Sequence, residues 1–125
     1  MLFRSVDLVR EHLAGKQMAI GRFYLKRGDY LASINRFRNV IEEYQTTSHV
    51  PEALHRLTEA YLALGIVHEA QAAASVLGYN FPGSDWYEDS YRLLAQAGVA
   101  QPLQQAAPTA TSSWLGRVTG LFRRG

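Results

Sequence analysis

The residues best suited to chemistry in this chain of 125 amino acids are four histidines, His12, His49, His55 and His68. A zinc hydrolase helix needs two histidines one turn apart with a glutamate between them, and no pair here has that spacing. His55 and Glu59 do lie one turn apart, but two ligands alone do not hold an ion, so an ordinary polar contact is expected. Cysteine is absent, which removes disulfides, thiolate metal sites and cysteine nucleophiles together. The sequence offers no glycine-rich phosphate loop, no pair of acidic residues set up for hydrolysis and no serine elbow. The expectation is a non-enzyme without metal or cofactor, so its elements must serve to present surfaces.

Those elements repeat. Tyr24, Gly28, Tyr44 and Gln45 recur 37 residues later as Tyr61, Gly65, Phe81 and Pro82. Each copy runs aromatic, glycine, small residue, aromatic, which is the order of the tetratricopeptide (TPR) repeat. The usual period of about 34 residues is recovered if Ser48, His49 and Val50 are an insertion. The predicted fold is all-α, with about five helices in TPR-type antiparallel pairs.

Residues 3–27 carry Val6, Val9, Leu13, Ile20, Phe23 and Tyr24 at helical spacing, which predicts one long helix. Gly15 and Gly21 inside it are expected where another helix packs closely. Gly28 and Asp29 end it, and a second helix over 30–44 places Ile34, Phe37, Val40, Ile41 and Tyr44 on one face. Pro51 and Glu52 suit the start of a third helix running to about 64, with Gly65 ending it. A fourth is predicted over 68–78, and Ser84 or Asp85 caps a fifth that covers the open end of the stack. The aromatic set Phe23, Tyr24, Tyr30, Phe37, Tyr44, Tyr61, Phe81, Trp86, Tyr87 and Tyr91 is read as core packing between helices.

The domain organisation follows from composition. Residues 1–97 form the helical array, and 98–112, rich in glutamine, alanine, proline and threonine, read as a flexible linker. Residues 113–125 form a basic amphipathic tail, with Trp114, Leu115, Val118, Leu121 and Phe122 on one side and Arg117, Arg123 and Arg124 off it. Such a segment can bind a membrane surface, a partner groove or the protein's own body, and it is expected to fold on contact. The formal charge of +2 belongs to this tail, because residues 1–112 carry 10 basic and 11 acidic side chains. No broad basic face is left for nucleic acid. Arg4, Asp7, Arg10 and Glu11 interrupt any apolar run in residues 1–20, so no signal peptide or membrane span is expected there.

In TPR arrays the first helix of each repeat lines the concave groove, at positions matching Met18, Arg22 and Leu25 in one copy and His55, Glu59 and Leu62 in the next. Arg22 and Glu59 occupy equivalent places with opposite charges and are expected to pair across the groove. Lysines and asparagines able to clamp a peptide carboxylate are missing from these positions. A chaperone-tail adaptor is therefore disfavoured.

The stretch VREHLAGKQMAIGRFYLKRG followed by DYLASINRFRNVIEEYQTTSHVPEALHRLTEAYLALG resembles the C-terminal half of the BamD family, over residues about 2 to 97. The carrying features are the helix end Tyr24-Leu25-Lys26-Arg27-Gly28, the run Ile34-Asn35-Arg36-Phe37, the start Pro51-Glu52-Ala53-Leu54, and Asn80-Phe81-Pro82 before Ser84 and Trp86-Tyr87. These are TPR lipoproteins of the outer-membrane β-barrel assembly machinery of Gram-negative bacteria. The resemblance implies a scaffold at the periplasmic face of the outer membrane that docks on the POTRA domains of BamA and meets the small lipoproteins of the complex. Unfolded outer-membrane proteins are a further partner of the family, associated with its N-terminal repeats.

Arg36 matches the family's Asn-Arg position in the penultimate repeat, so the resemblance makes it the leading contact, with Asn35, Arg38 and Glu42 as neighbours. From spacing alone, Arg36 and Arg38 read as a solvated face. The family's signal, lipidated cysteine and N-terminal repeats have no match in this sequence, and residues 98–125 lie outside the resemblance. Two alternatives remain at this level: a soluble TPR adaptor of another pathway, and a membrane-surface module acting through the tail.

Overall fold

A computed structural model describes residues 2–99, with side chains from residue 4 onward, together with Trp114 and Leu115. Five helices follow one another: α1 (Leu2–Arg27), α2 (Tyr30–Glu43), α3 (Val50–Ala63), α4 (Val67–Asn80) and α5 (Asp85–Gln96). Successive helices pack on one another, and α5 lies against both α3 and α4. Among the described residues there is no strand, and no helix is long and apolar enough to cross a membrane. The array is TPR-like, as the repeat predicts.

The sequence repeat is reproduced in backbone hydrogen bonds. At the end of α1 the Asp29 amide donates to Tyr24 O (2.9 Å) and the Gly28 amide to Leu25 O (3.1 Å). At the end of α3 the Ile66 amide donates to Tyr61 O (2.9 Å) and the Gly65 amide to Leu62 O (3.0 Å). Both are Schellman closures, which place the glycine in the left-handed region, here at φ 82° and 77°. The same pair of bonds closes α5, from Val99 to Leu94 O and from Gly98 to Ala95 O. Beyond covering the stack, α5 thus ends as the first helix of a third repeat would. Gly98 and Val99 belong to this closure, and residues 100–112 of the expected linker lie outside the described residues.

Helix starts follow local chemistry. Ser84 is the N-cap of α5, its hydroxyl accepting from the Trp86 amide at 3.1 Å. Pro51 sits in the first turn of α3, where its missing N–H costs nothing. Helix α4 runs past Gly78 to Asn80. That glycine is a packing position, because a Cβ there would meet the Tyr87 ring at 2.5 Å.

The core is built from Ile34, Phe37, Val40 and Ile41 of α2, Leu54 and Leu57 of α3, and Val76 and Leu77 of α4, with buried alanines on α4 admitting close approach. Helix α1 contributes Ala14 and Met18, both fully buried, and Gly21 against Phe37. The apolar residues whose spacing predicts this helix do not all join the core: Val6, Val9 and Leu13 are 48%, 56% and 40% exposed. The reason is length. A helix of 26 residues facing one of 14 extends its first turns past α2, and among the described residues nothing covers Val6 and Val9. Phe23, expected in the core, is also exposed and lies under Arg27, whose guanidinium carbon is 5.4 Å from the ring centroid.

Candidate partner-binding surfaces

On the groove side, α1, α3 and α5 are tied by one chain of polar contacts. The Arg22 guanidinium donates to both oxygens of Glu52 at 3.0 Å. Arg56 donates from Nε to Glu52 at 3.2 Å and from a terminal nitrogen to Glu59 at 2.6 Å. Glu59 in turn meets His55 Nε2 at 3.3 Å, and His55 Nδ1 meets the Ser90 hydroxyl at 2.7 Å. The Trp86 ring backs this row, 5.4 Å from the His55 ring and 5.3 Å from the Arg56 guanidinium.

The expected Arg22–Glu59 pair is therefore not formed. Arg56 stands four residues after Glu52 and three before Glu59, so it reaches both carboxylates on its own helix and occupies Glu59. Arg22 turns instead to the first turn of α3. Met18 and His55, placed in the groove by the sequence, are equivalent positions that both face inward, 0% and 7% exposed. Leu25 and Leu62 are partly buried against the core. Arg56, Trp86 and Ser90 were not anticipated as groove residues, although the Glu52–Arg56–Glu59 spacing was visible.

Burial pushes the His55 pKa below its ordinary value, against the pull of Glu59 and with the push of Arg56. A carboxylate only accepts, so neutral His55 carries its proton on Nε2, and Nδ1 accepts from Ser90. Serine, histidine and glutamate stand here in the order of a hydrolase triad. Ser90, however, is 0% exposed, and no carbonyl carbon can reach it. Arg56 is itself partly desolvated, yet its bonds to Glu59 and Glu52 raise its pKa. Among the described residues no group of three or more histidines and acids could hold a metal ion.

The docking set expected on α2 divides between two faces. Asn35 and Arg36 open onto a shallow cleft of about 420 Å³ lined also by Gln17, Tyr24, Ala32 and Asn39. Arg36 donates to Gln17 Oε1 at 3.2 Å and has no carboxylate partner among the described residues. This is a half-exposed cation amid neutral donors and acceptors.

Arg38 and Glu42 lie outside the lining of that cleft, near Tyr61 of α3. They pair at 3.5 Å, and the Arg38 guanidinium lies 4.4 Å from the centroid of the Trp114 ring. Burial raises the Tyr61 pKa, helped by Glu69 and opposed by Arg38 and by the nearby Trp114 indole. Trp114 and Leu115 are 6% and 1% exposed. Of the three destinations open to the tail, these two residues take the protein's own body, which withdraws them from lipid. Val118, Leu121 and Phe122 lie outside the described residues.

Comparison with known proteins agrees with this architecture. Residues 2–77 match the family model YfiO, described as outer membrane lipoprotein. The chain is 57% identical over 106 residues to the outer membrane protein assembly factor BamD of Caulobacter vibrioides, covering 82% of this chain and 35% of that protein. It is 58% identical over 90 residues to the Rickettsia prowazekii protein of the same name (72% of this chain, 36% of that one). With the Neisseria meningitidis counterpart it shares 39% over 89 residues (71% and 33%). The chain spans about a third of the length of the curated relatives it matches. By its helix pattern and by the family model covering most of the helical array, this chain belongs to the YfiO family of outer membrane lipoproteins.

Proposed function

We propose that this chain is a non-catalytic docking module of the outer-membrane β-barrel assembly machinery, acting at the periplasmic face of that membrane. It holds the POTRA domains of BamA through its α1–α2 cleft and meets the small lipoproteins of the same complex, with unfolded outer-membrane proteins as a further class of partner. The observation that carries this reading is Arg36. Its guanidinium is fixed by neutral Gln17, stands beside Asn35 and Asn39, and is not neutralised by any carboxylate among the described residues. Such a group is ready for bidentate pairing with a carboxylate on a partner, a contact on the order of several kcal/mol once desolvated.

The groove side supports the same assignment by exclusion. Arg22, Glu52, Arg56 and Glu59 satisfy one another, which leaves little charge there to recruit a ligand. The test is a pull-down of purified BamA POTRA domains by wild type and Arg36→Glu. Loss of binding by the variant at an unchanged melting temperature is expected, and equal binding would remove Arg36 from the surface.

A further inference from the structure

The lining of the α1–α2 cleft runs along one face of α2, where Ala32, Asn35, Arg36 and Asn39 stand at i, i+3, i+4 and i+7, and α1 adds Gln17 and Tyr24. Its asparagines are unspent. Arg36 meets Gln17 Oε1 at 3.2 Å, but no hydrogen bond from within the described residues reaches the side-chain amide of Asn35 or of Asn39. Each of these amides both donates and accepts. A carboxylate or a cation would use only half of that capacity, whereas a peptide unit, with one C=O and one N–H, uses all of it. Spacing points the same way. One helical turn separates Asn35 from Asn39 by about 6 Å along the axis, and the alternate residues of an extended chain, whose main-chain groups share a side, repeat at about 6.6 Å.

We propose that Asn35 and Asn39 read main chain: the two amides bind alternate residues of an extended segment of the partner, and Arg36 takes an acidic side chain carried by that same segment. The inference rests on the reading of this cleft as the docking surface, and adds what the surface recognises. Ala32, one turn before Asn35 and Arg36, is small and leaves room for a backbone to come close. A lone acidic side chain on a rounded surface would answer Arg36 and leave both amides to water. An acidic sheet edge or extended loop answers all three. The amides select conformation without regard to side-chain identity, and the guanidinium sets the register by one charge.

The probe is purified, 15N-labelled POTRA domains of BamA, titrated with the full chain and with its Asn35→Ala, Asn39→Ala and Arg36→Glu variants. The asparagine variants should melt no lower than wild type, because neither amide is paired within the fold and alanine is the better helix former. Each is expected to weaken binding by about three- to tenfold, the scale of one main-chain hydrogen bond. In the complexes, the POTRA amide resonances that return toward their free positions should belong to one contiguous run, with those restored by Asn35→Ala and by Asn39→Ala two residues apart. Undiminished affinity of both asparagine variants beside loss with Arg36→Glu overturns this inference and leaves the docking reading standing. Restored resonances scattered over separate segments, or confined to side chains, overturn it as well. Absence of binding by wild type overturns the docking reading, and the inference with it.

Discussion

Gly21 of α1 faces Phe37 of α2 so closely that a Cβ on the glycine would lie 2.5 Å from the ring. The ring fills the place of the missing side chain, and Phe37 is fully buried as a result. Gly21→Ala sets two effects against each other. Helix propensity gains roughly 1 kcal/mol, while overpacking a closed interface costs about 1–3 kcal/mol. The contact is with ring atoms wedged between helices, so the second effect wins. Urea denaturation should show the variant less stable, with Phe37→Leu in the same chain restoring part of the loss.

Gly65 provides the contrasting case. A Cβ at this position would meet nothing within 4 Å, so any penalty comes from the backbone at φ 77° alone. Gly65→Ala should cost on the order of 1 kcal/mol, and Gly65→Asn less, because asparagine tolerates the left-handed region better. Thermal melts of the two variants check the order, and equal losses would mean that the closure is not what the glycine serves.

Both glycines were legible in the sequence, because the 37-residue repeat marks the closure and a helix-interior glycine signals close approach. The fate of Arg22 was not. Register predicted Glu59, but Arg56 is nearer to that carboxylate along its own helix, and local i,i+3 geometry outcompetes a contact between helices. Met18 and His55 were assigned to the groove by analogy of position, which cannot distinguish the rim of a helix from its inner side. Trp114 was legible only as an adhesive residue. Nothing local fixes where a tryptophan lands when a stretch without helical periodicity separates it from the array.

His55 ties stability to pH. Its folded pKa lies below the ordinary 6.5, chiefly through burial, so the unfolded chain takes up a proton before the folded one does. Its contribution is complete above about 6.5 and is lost as pH falls from there toward the folded value. Glu59, Glu52, Arg56 and Asp89 set that lower limit from α3 and α5. Melting temperature should therefore drop between pH 7 and pH 5 more steeply in wild type than in His55→Gln, which keeps an amide able to meet Ser90 and Glu59. Parallel curves for the two proteins would show that His55 titrates alike in both states.

Gln17 offers a way to silence Arg36 without touching it. The amide oxygen of Gln17 is 3.2 Å from the guanidinium, so Gln17→Glu puts a carboxylate within ion-pair distance at nearly unchanged shape. The new pair is half-exposed and should add no more than about 1 kcal/mol of stability. Its effect on docking should be larger, because a partner carboxylate must now displace a neighbour of equal charge that is already in place. Binding of POTRA domains is expected to weaken by about tenfold or more, less than with Arg36→Glu, and to recover partly at higher salt as the internal pair is screened. Undiminished binding by Gln17→Glu would mean that the guanidinium of Arg36 is not the group a partner reads.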